Sequence, residues 1–156
     1  GVGTQDWLRS VGRAWGNGPL GSAWQVNVGW GSADLPADRG FAIGGAGSLP
    51  GTVPRSVNGT RVARIEVSRP FAVAVPSRML LGPVPLESWL TPFVAVGWGG
   101  GVLRENPWPV SGGIQPVLGL RLDLWGPLLR AELGWAPRSR RFGLAGDAHP
   151  DWWPIL

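Results

Sequence analysis

The 156-residue chain has no cysteine and no lysine, so all 14 of its basic residues are arginine, and it has a single histidine. Without cysteine there is no disulfide and no thiolate chemistry. The lack does not decide the compartment, because a reducing cytosol and an outer-membrane barrel both tolerate it. One histidine and no cysteine leave no cluster with metal-ligand spacing, so neither a metal nor another cofactor is expected. No uninterrupted apolar run approaches the roughly 20 residues that a transmembrane helix needs. Long helices are disfavoured as well, since 26 Gly and 16 Pro argue for short elements joined by many turns. The net charge of +4 is carried by arginines dispersed along the chain, not gathered into one stripe, so nucleic acid is not an expected partner. No signal peptide is visible at the start, so an exported protein would need a longer precursor than this chain.

What the chain does have is alternation. Residues 113–135 read as a β-hairpin around Gly126-Pro127. Leu118, Leu120, Leu122 and Leu124 alternate with Gly119, Arg121 and Asp123; Leu129, Ala131, Leu133 and Trp135 alternate with Arg130, Glu132 and Gly134. A period of two sends the two sets to opposite faces of a sheet. Pairing Trp125 with Leu128 sets Asp123 opposite Arg130 and Arg121 opposite Glu132, with aliphatic pairs on the other face. A slip of one residue would destroy both rows. Further strands are predicted at 6–15, 22–31, 60–73, 88–99 and 141–147. Residues 32–59 form a long Gly- and Pro-rich loop with little periodicity. Residues 74–87 are predicted to be a connection, because proline is excluded from paired central strands. The sum is an all-β antiparallel meander of about seven strands.

Val-Gly-Trp at 28–30 and 96–98 and Leu-Gly-Trp at 133–135 close three strands that run in one direction. Trp30, Trp98 and Trp135 therefore fall at one edge of the sheet, and Trp15, Trp24, Trp89 and Trp125 at the other. Two tryptophan bands resemble the aromatic girdles of a membrane barrel. The competing reading is a soluble all-β core filled with tryptophan. The bands, together with one long loop beside shorter turns, favour the barrel. In that case the leucine face meets lipid and the charged face lines the lumen.

No constellation points to catalysis, and no catalytic residue is assigned. Ser48 lacks the strand–turn–helix setting of a nucleophile elbow. The glycines at 97 and 99–101 precede no helix that could bind phosphate. Asn58-Gly59-Thr60 fits a short glycosylation sequon of a kind common by chance. His149 reads as a surface residue. Asp123 and Glu132 are accounted for by their cross-strand arginines, not as a catalytic carboxylate pair.

At 43–51 (IGGAGSLPG) and 60–71 (TRVARIEVSRPF) the chain resembles the C-terminal part of the barrel in the outer-membrane assembly and secretion family, the bacterial surface antigen type that includes BamA and TamA. That family carries a Gly-Gly-x-x-Ser-Leu/Val-Arg-Gly-aromatic motif in a long extracellular loop that folds back into the lumen. Gly44, Gly45, Ser48, Leu49 and Gly51 match the loop motif; Glu66 matches a lumen-facing acid. Residues Phe93-Val94-Ala95-Val96-Gly97 and Gly119-Leu120-Arg121-Leu122 match two later strands. The family's loop arginine is Pro50 here, its aromatic is Thr52, and a strand aspartate is Ala95. With those partners lost, Glu66 is expected to pair with another arginine, Arg64 or Arg55, because a lone confined carboxylate is costly.

The resemblance implies that residues 1–156 are the C-terminal portion of a bacterial outer-membrane barrel, with Arg64, Glu66, Arg121, Asp123, Arg130 and Glu132 as a lumenal charge network. The implied partners are the outer-membrane bilayer, an N-terminal barrel half with periplasmic domains, and client outer-membrane or secreted proteins. Insertion or export of those clients would need no enzymatic chemistry. About seven strands cannot close a family-type barrel, so an open curved sheet is expected. The alternatives are a barrel anchor or conduit for an upstream domain such as a hydrolase, and a soluble all-β binding module.

Overall fold

Alternating side chains, frequent glycine turns and the absence of helical periodicity produce a sheet. The computed structural model describes residues 7–45, 48–74, 87–102, 113–124 and 129–148. Its strands are β1 (Arg9–Asn17), β2 (Ala23–Gly31), β3 (Phe41–Ile43), β4 (Val57–Gly59) and β5 (Arg61–Ser68), followed by β6 (Phe71–Val73), β7 (Ser88–Gly100), β8 (Gly113–Leu124), β9 (Leu129–Ala136) and β10 (Arg141–Ala148). The main sheet has the order β1-β2-β5-β7-β8-β9-β10, with β6 also paired to β7, and every pairing is antiparallel. It is an open meander whose edges are β1 and β10. No α-helix occurs among the described residues.

The β8–β9 register is the one the charges require. Asp123 lies opposite Arg130, Arg121 opposite Glu132, Leu122 opposite Ala131 and Leu124 opposite Leu129. The turn itself, with Trp125, lies outside the described residues.

Directly paired residues share a face, so the register sorts the whole sheet into two faces. One carries Trp24, Val26, Val28 and Trp30 of β2; Ala63, Ile65 and Val67 of β5; Val94, Val96 and Trp98 of β7; and the leucines of β8 and β9. Arg61 is the one charged residue on this face within the strands of the main sheet. The face is bare: Leu118 is 44% exposed, Trp98 42% and Leu144 80%. The other face carries the charges, and residues 32–45 and 48–60 fold over it.

That long loop is more ordered than its composition predicts. β3 and β4 pair inside it as a small antiparallel hairpin lying on the sheet. Its apolar side chains land on glycines. An added Cβ on Gly29 would meet the Phe41 ring at 2.5 Å, and one on Gly99 would meet Val57 at 2.5 Å. Leu35, Phe41 and Val62 form one buried cluster; Leu49, Phe93, Ala95, Val117 and Ala136 form another; Ile43 packs against both. The core therefore sits between loop and sheet, not within a sandwich.

Two expectations are corrected by prolines. The strand predicted over 60–73 is split into β5 and β6 at Arg69-Pro70. Opposite that break lies Pro92, inside β7, whose carbonyl accepts the Arg69 N–H at 3.1 Å. N and O of one residue point to the same side of an antiparallel strand. The missing Pro92 N–H therefore faces the gap, where no ladder bond is lost. Pro116 in β8 follows the same rule: its N–H position faces the β9 side, beyond the last β8–β9 pair, Leu118 with Trp135. Central strands here accept proline where the neighbouring strand stops.

Candidate functional site

The loop tip, at residues 44–45 and 48–52, is built by its own glycines and hydroxyls. Gly44, Gly45 and Gly51 have φ of 132°, 80° and 87°, a region that other residues enter only with strain. The Ser48 hydroxyl accepts the Gly44 N–H at 2.9 Å, and Thr52 Oγ1 accepts the Gly45 N–H at 3.1 Å. Thr52 also donates to the Leu49 carbonyl at 2.6 Å, closing the turn. The result presents Leu49 and Pro50 outward from the loop and down onto the sheet.

They land in a trough made by side chains that are missing. Gly119, Gly134 and Gly143 lie in one cross-strand row on β8, β9 and β10, continued on β7 by Phe93. The Phe93 ring lies over Gly119, and Pro50 lies on Gly134. A Cβ on Gly51 would come within 2.7 Å of the Gly134 carbonyl oxygen. Leu49 fills the space above Gly97 and is fully buried. The motif residues are thus brought together with the sheet by shape and apolar contact. Pro50, where the resembled family has arginine, is itself fully buried.

Beside this seat lies the charge network. Glu66 is 4% exposed. It pairs with Arg64 on its own strand and with Arg121 of β8 at 3.2 Å. Arg121 also binds Glu132 at 2.8 Å, and its guanidinium sits 5.0 Å from the Phe93 ring centre. Two cations and two anions balance each other in a buried group. Arg130 and Asp123, at 2.6 Å, form a separate and more exposed pair. All six predicted network residues lie on the loop face, and Glu66 is held by arginines outside the loop motif. Ala95, in place of the family's aspartate, packs in the Leu49 cluster.

The tryptophans divide. Trp24, Trp30, Trp98 and Trp135 lie on the apolar face, as a girdle requires. Trp15 pairs with Gln25, and Trp89 with Asp123, which puts both on the loop face instead. In β1 the alternation groups Trp15 with Arg9 and Arg13, and that whole set is polar-facing. Trp125 lies outside the described residues.

The three strand-closing tryptophans are not in one ladder row. Trp30 shares a row with Arg61 and Gly100, so Trp98 sits two residues behind it. Trp98 shares a row with Ile114, and Trp135 with Leu118, four residues further back. Six residues of ~3.3 Å over four interstrand steps of ~4.8 Å incline this line by about 45° to the rows. Strands of membrane barrels tilt by about 35–45°. The three tryptophans therefore fall at one level if the strands have that tilt.

Phe93 and the glycine row are the site residues that alternation misses, because each takes its role from a contact distant in sequence. Among the described residues no group of His, Cys, Asp and Glu could hold a metal ion. Comparison of the chain with protein-family models, curated proteins and solved structures finds no match.

Proposed function

We propose that this chain is part of a bacterial outer-membrane β-barrel of the assembly and translocation type, whose role is to help insert or export other proteins without enzymatic chemistry. The observation that carries the membrane reading is the bare apolar face, with a tryptophan line inclined at the tilt of a barrel. In water such a face would be an aggregation surface; against acyl chains it needs no cover. The assembly reading is supported by a Gly-Gly-x-x-Ser-Leu motif loop seated on the lumen side beside a buried Glu66. Fractionation of cells expressing the full-length gene tests the membrane reading. The expected result is outer-membrane recovery, resistance to alkaline extraction and heat-dependent gel mobility; recovery as a soluble protein without detergent overturns it.

One observation favours a second reading, a barrel that serves as an anchor or conduit for another domain. The loop is held by Leu49, Pro50 and glycine packing, with its motif arginine absent. A static plug needs no charged latch. Depleting the protein and measuring outer-membrane protein levels separates the two, since an anchor leaves those levels unchanged.

A further inference from the structure

The chain leaves β2, β7 and β9 on one side of the sheet, because these three strands run in the same direction. On that side the described residues include Arg39, Arg55, Arg61, Arg138, Arg140 and Arg141 against two acids, Asp34 and Asp38. Arg39 pairs with Asp38. Arg61, Arg138 and Arg140 form no ion pair among the described residues.

Their placement follows the tryptophan line. Arg61 is the direct cross-strand partner of Trp30 on the apolar face and is exposed. Arg138 donates to the Ile114 carbonyl at 3.0 Å, and Ile114 is the direct partner of Trp98. Arg140, exposed in the turn at φ 52°, lies between Trp135 and its cross-strand partner Phe142 in sequence. Each tryptophan thus has a cation level with it or rimward of it. On the opposite rim, among the described residues, Arg69 lies next to the apolar face, 5.0 Å from the Phe71 ring centre. A cleft lined by Gly31, Thr60, Arg61, Gly101 and Val102 opens beside Arg61 and also contains Asp34.

We propose that Arg61, Arg138 and Arg140 form a rim that binds the phosphate groups of an anionic glycolipid packed against the loop-side end of the apolar face. The inference rests on the membrane reading and adds to it the headgroup chemistry of one leaflet. Acyl chains would lie on Val28, Ile65 and Val94, sugar rings at the level of Trp30 and Trp98, and phosphates at the arginines. Guanidinium groups suit this task through their forked donors.

The test uses the full-length protein extracted from membranes in mild detergent and titrated with mixed micelles of lipid A, of chemically dephosphorylated lipid A, or with inorganic phosphate. Binding is read by native mass spectrometry and by the temperature of heat-dependent gel mobility. Lipid A is expected to bind and to raise that temperature. The variant R61Q/R138Q/R140Q is expected to lose roughly tenfold to a hundredfold in affinity, R69Q to match the wild type, and D34N to bind more tightly. All four proteins should keep their heat-dependent mobility, which separates lost binding from lost fold. Equal binding of dephosphorylated lipid A, equally tight binding of inorganic phosphate, or a triple variant that binds like the wild type overturns the proposal and leaves the barrel standing. A protein that stays soluble without detergent overturns both.

Discussion

Glu66 on β5 and Arg121 on β8 meet at 3.2 Å across the full width of β7, although 55 residues separate them in sequence. The bridge passes over β7 where its loop-face residues are Ala95, Phe93 and Thr91, with the Phe93 ring beneath the guanidinium. A larger residue at 95 would stand in its way. The three strands are thereby tied by a charge as well as by their ladders.

Removing one member of this group leaves another charged and buried. Glu66→Ala is expected to destabilise the protein by about 3–5 kcal/mol, with Arg64 and Arg121 both losing their shared anion. Asp123→Ala, which breaks the exposed pair with Arg130, is expected to cost no more than about 1 kcal/mol. Urea titration of the folded form in micelles checks both. Equal effects would show that the buried group has no special weight.

The glycine row makes a second prediction. Gly134→Val places side-chain atoms where Pro50 lies, so the loop tip must lift or the strand must bend; overpacking of this kind costs about 1–3 kcal/mol. Proteolysis at Arg55 is expected to accelerate. Gly146→Ala is the control, because the nearest atom to an added Cβ there is 3.8 Å away. A Gly134→Val protein as protease-resistant as the wild type would refute the seat.

Much of this was legible from residue order, and the reasons differ by element. The β8–β9 register could be read because charges and leucines both had to pair, and one frame satisfied both. Glu66 could be expected to find an arginine other than the motif's, and Arg64 stands two residues away. Arg121 could not be foreseen as its second partner, since cross-strand logic pairs only adjacent strands and β7 intervenes. The β3–β4 hairpin was hidden because strands of three residues carry no measurable alternation. The break at Arg69-Pro70 was hidden because Phe71 continues the apolar phase after it. Distance from the strand end places Trp15 in a tryptophan band, whereas its phase with Arg9 and Arg13 decides its face.

A third prediction restores what the sequence lacks. Pro50→Arg puts a charge in the apolar seat around Leu49, and Ala95→Asp puts another in the same cluster. Each is expected to destabilise the protein alone. Together they are expected to cost less than their sum by about 0.5–3 kcal/mol, the range for residues in contact. Additive effects would mean that the two positions do not meet.

The two solvents for the leucine face are distinguished by one substitution. Leu120→Arg lies mid-strand, two residues further from the tryptophan line than the Trp135 row, in the row of Pro92 and Leu133. In a bilayer it is expected to cost about 2–4 kcal/mol near the midplane and much less toward either rim. In water the same change would be neutral or would improve solubility. Folding of the variant into vesicles, followed by urea, gives the answer.

The loop seat also sets a minimum girth. A barrel of about eight strands has an interior only wide enough for side chains. Here the loop-covered face of the sheet supports a second layer of backbone, the β3–β4 hairpin and the turn at 48–52, stacked on glycines. In the proposed barrel, a cylinder containing this layer would have to be wider than seven strands could enclose. Its circumference would then be dictated from inside, by the thickness of what is packed there. Shortening residues 32–60 would relax that demand before any change to the strands could.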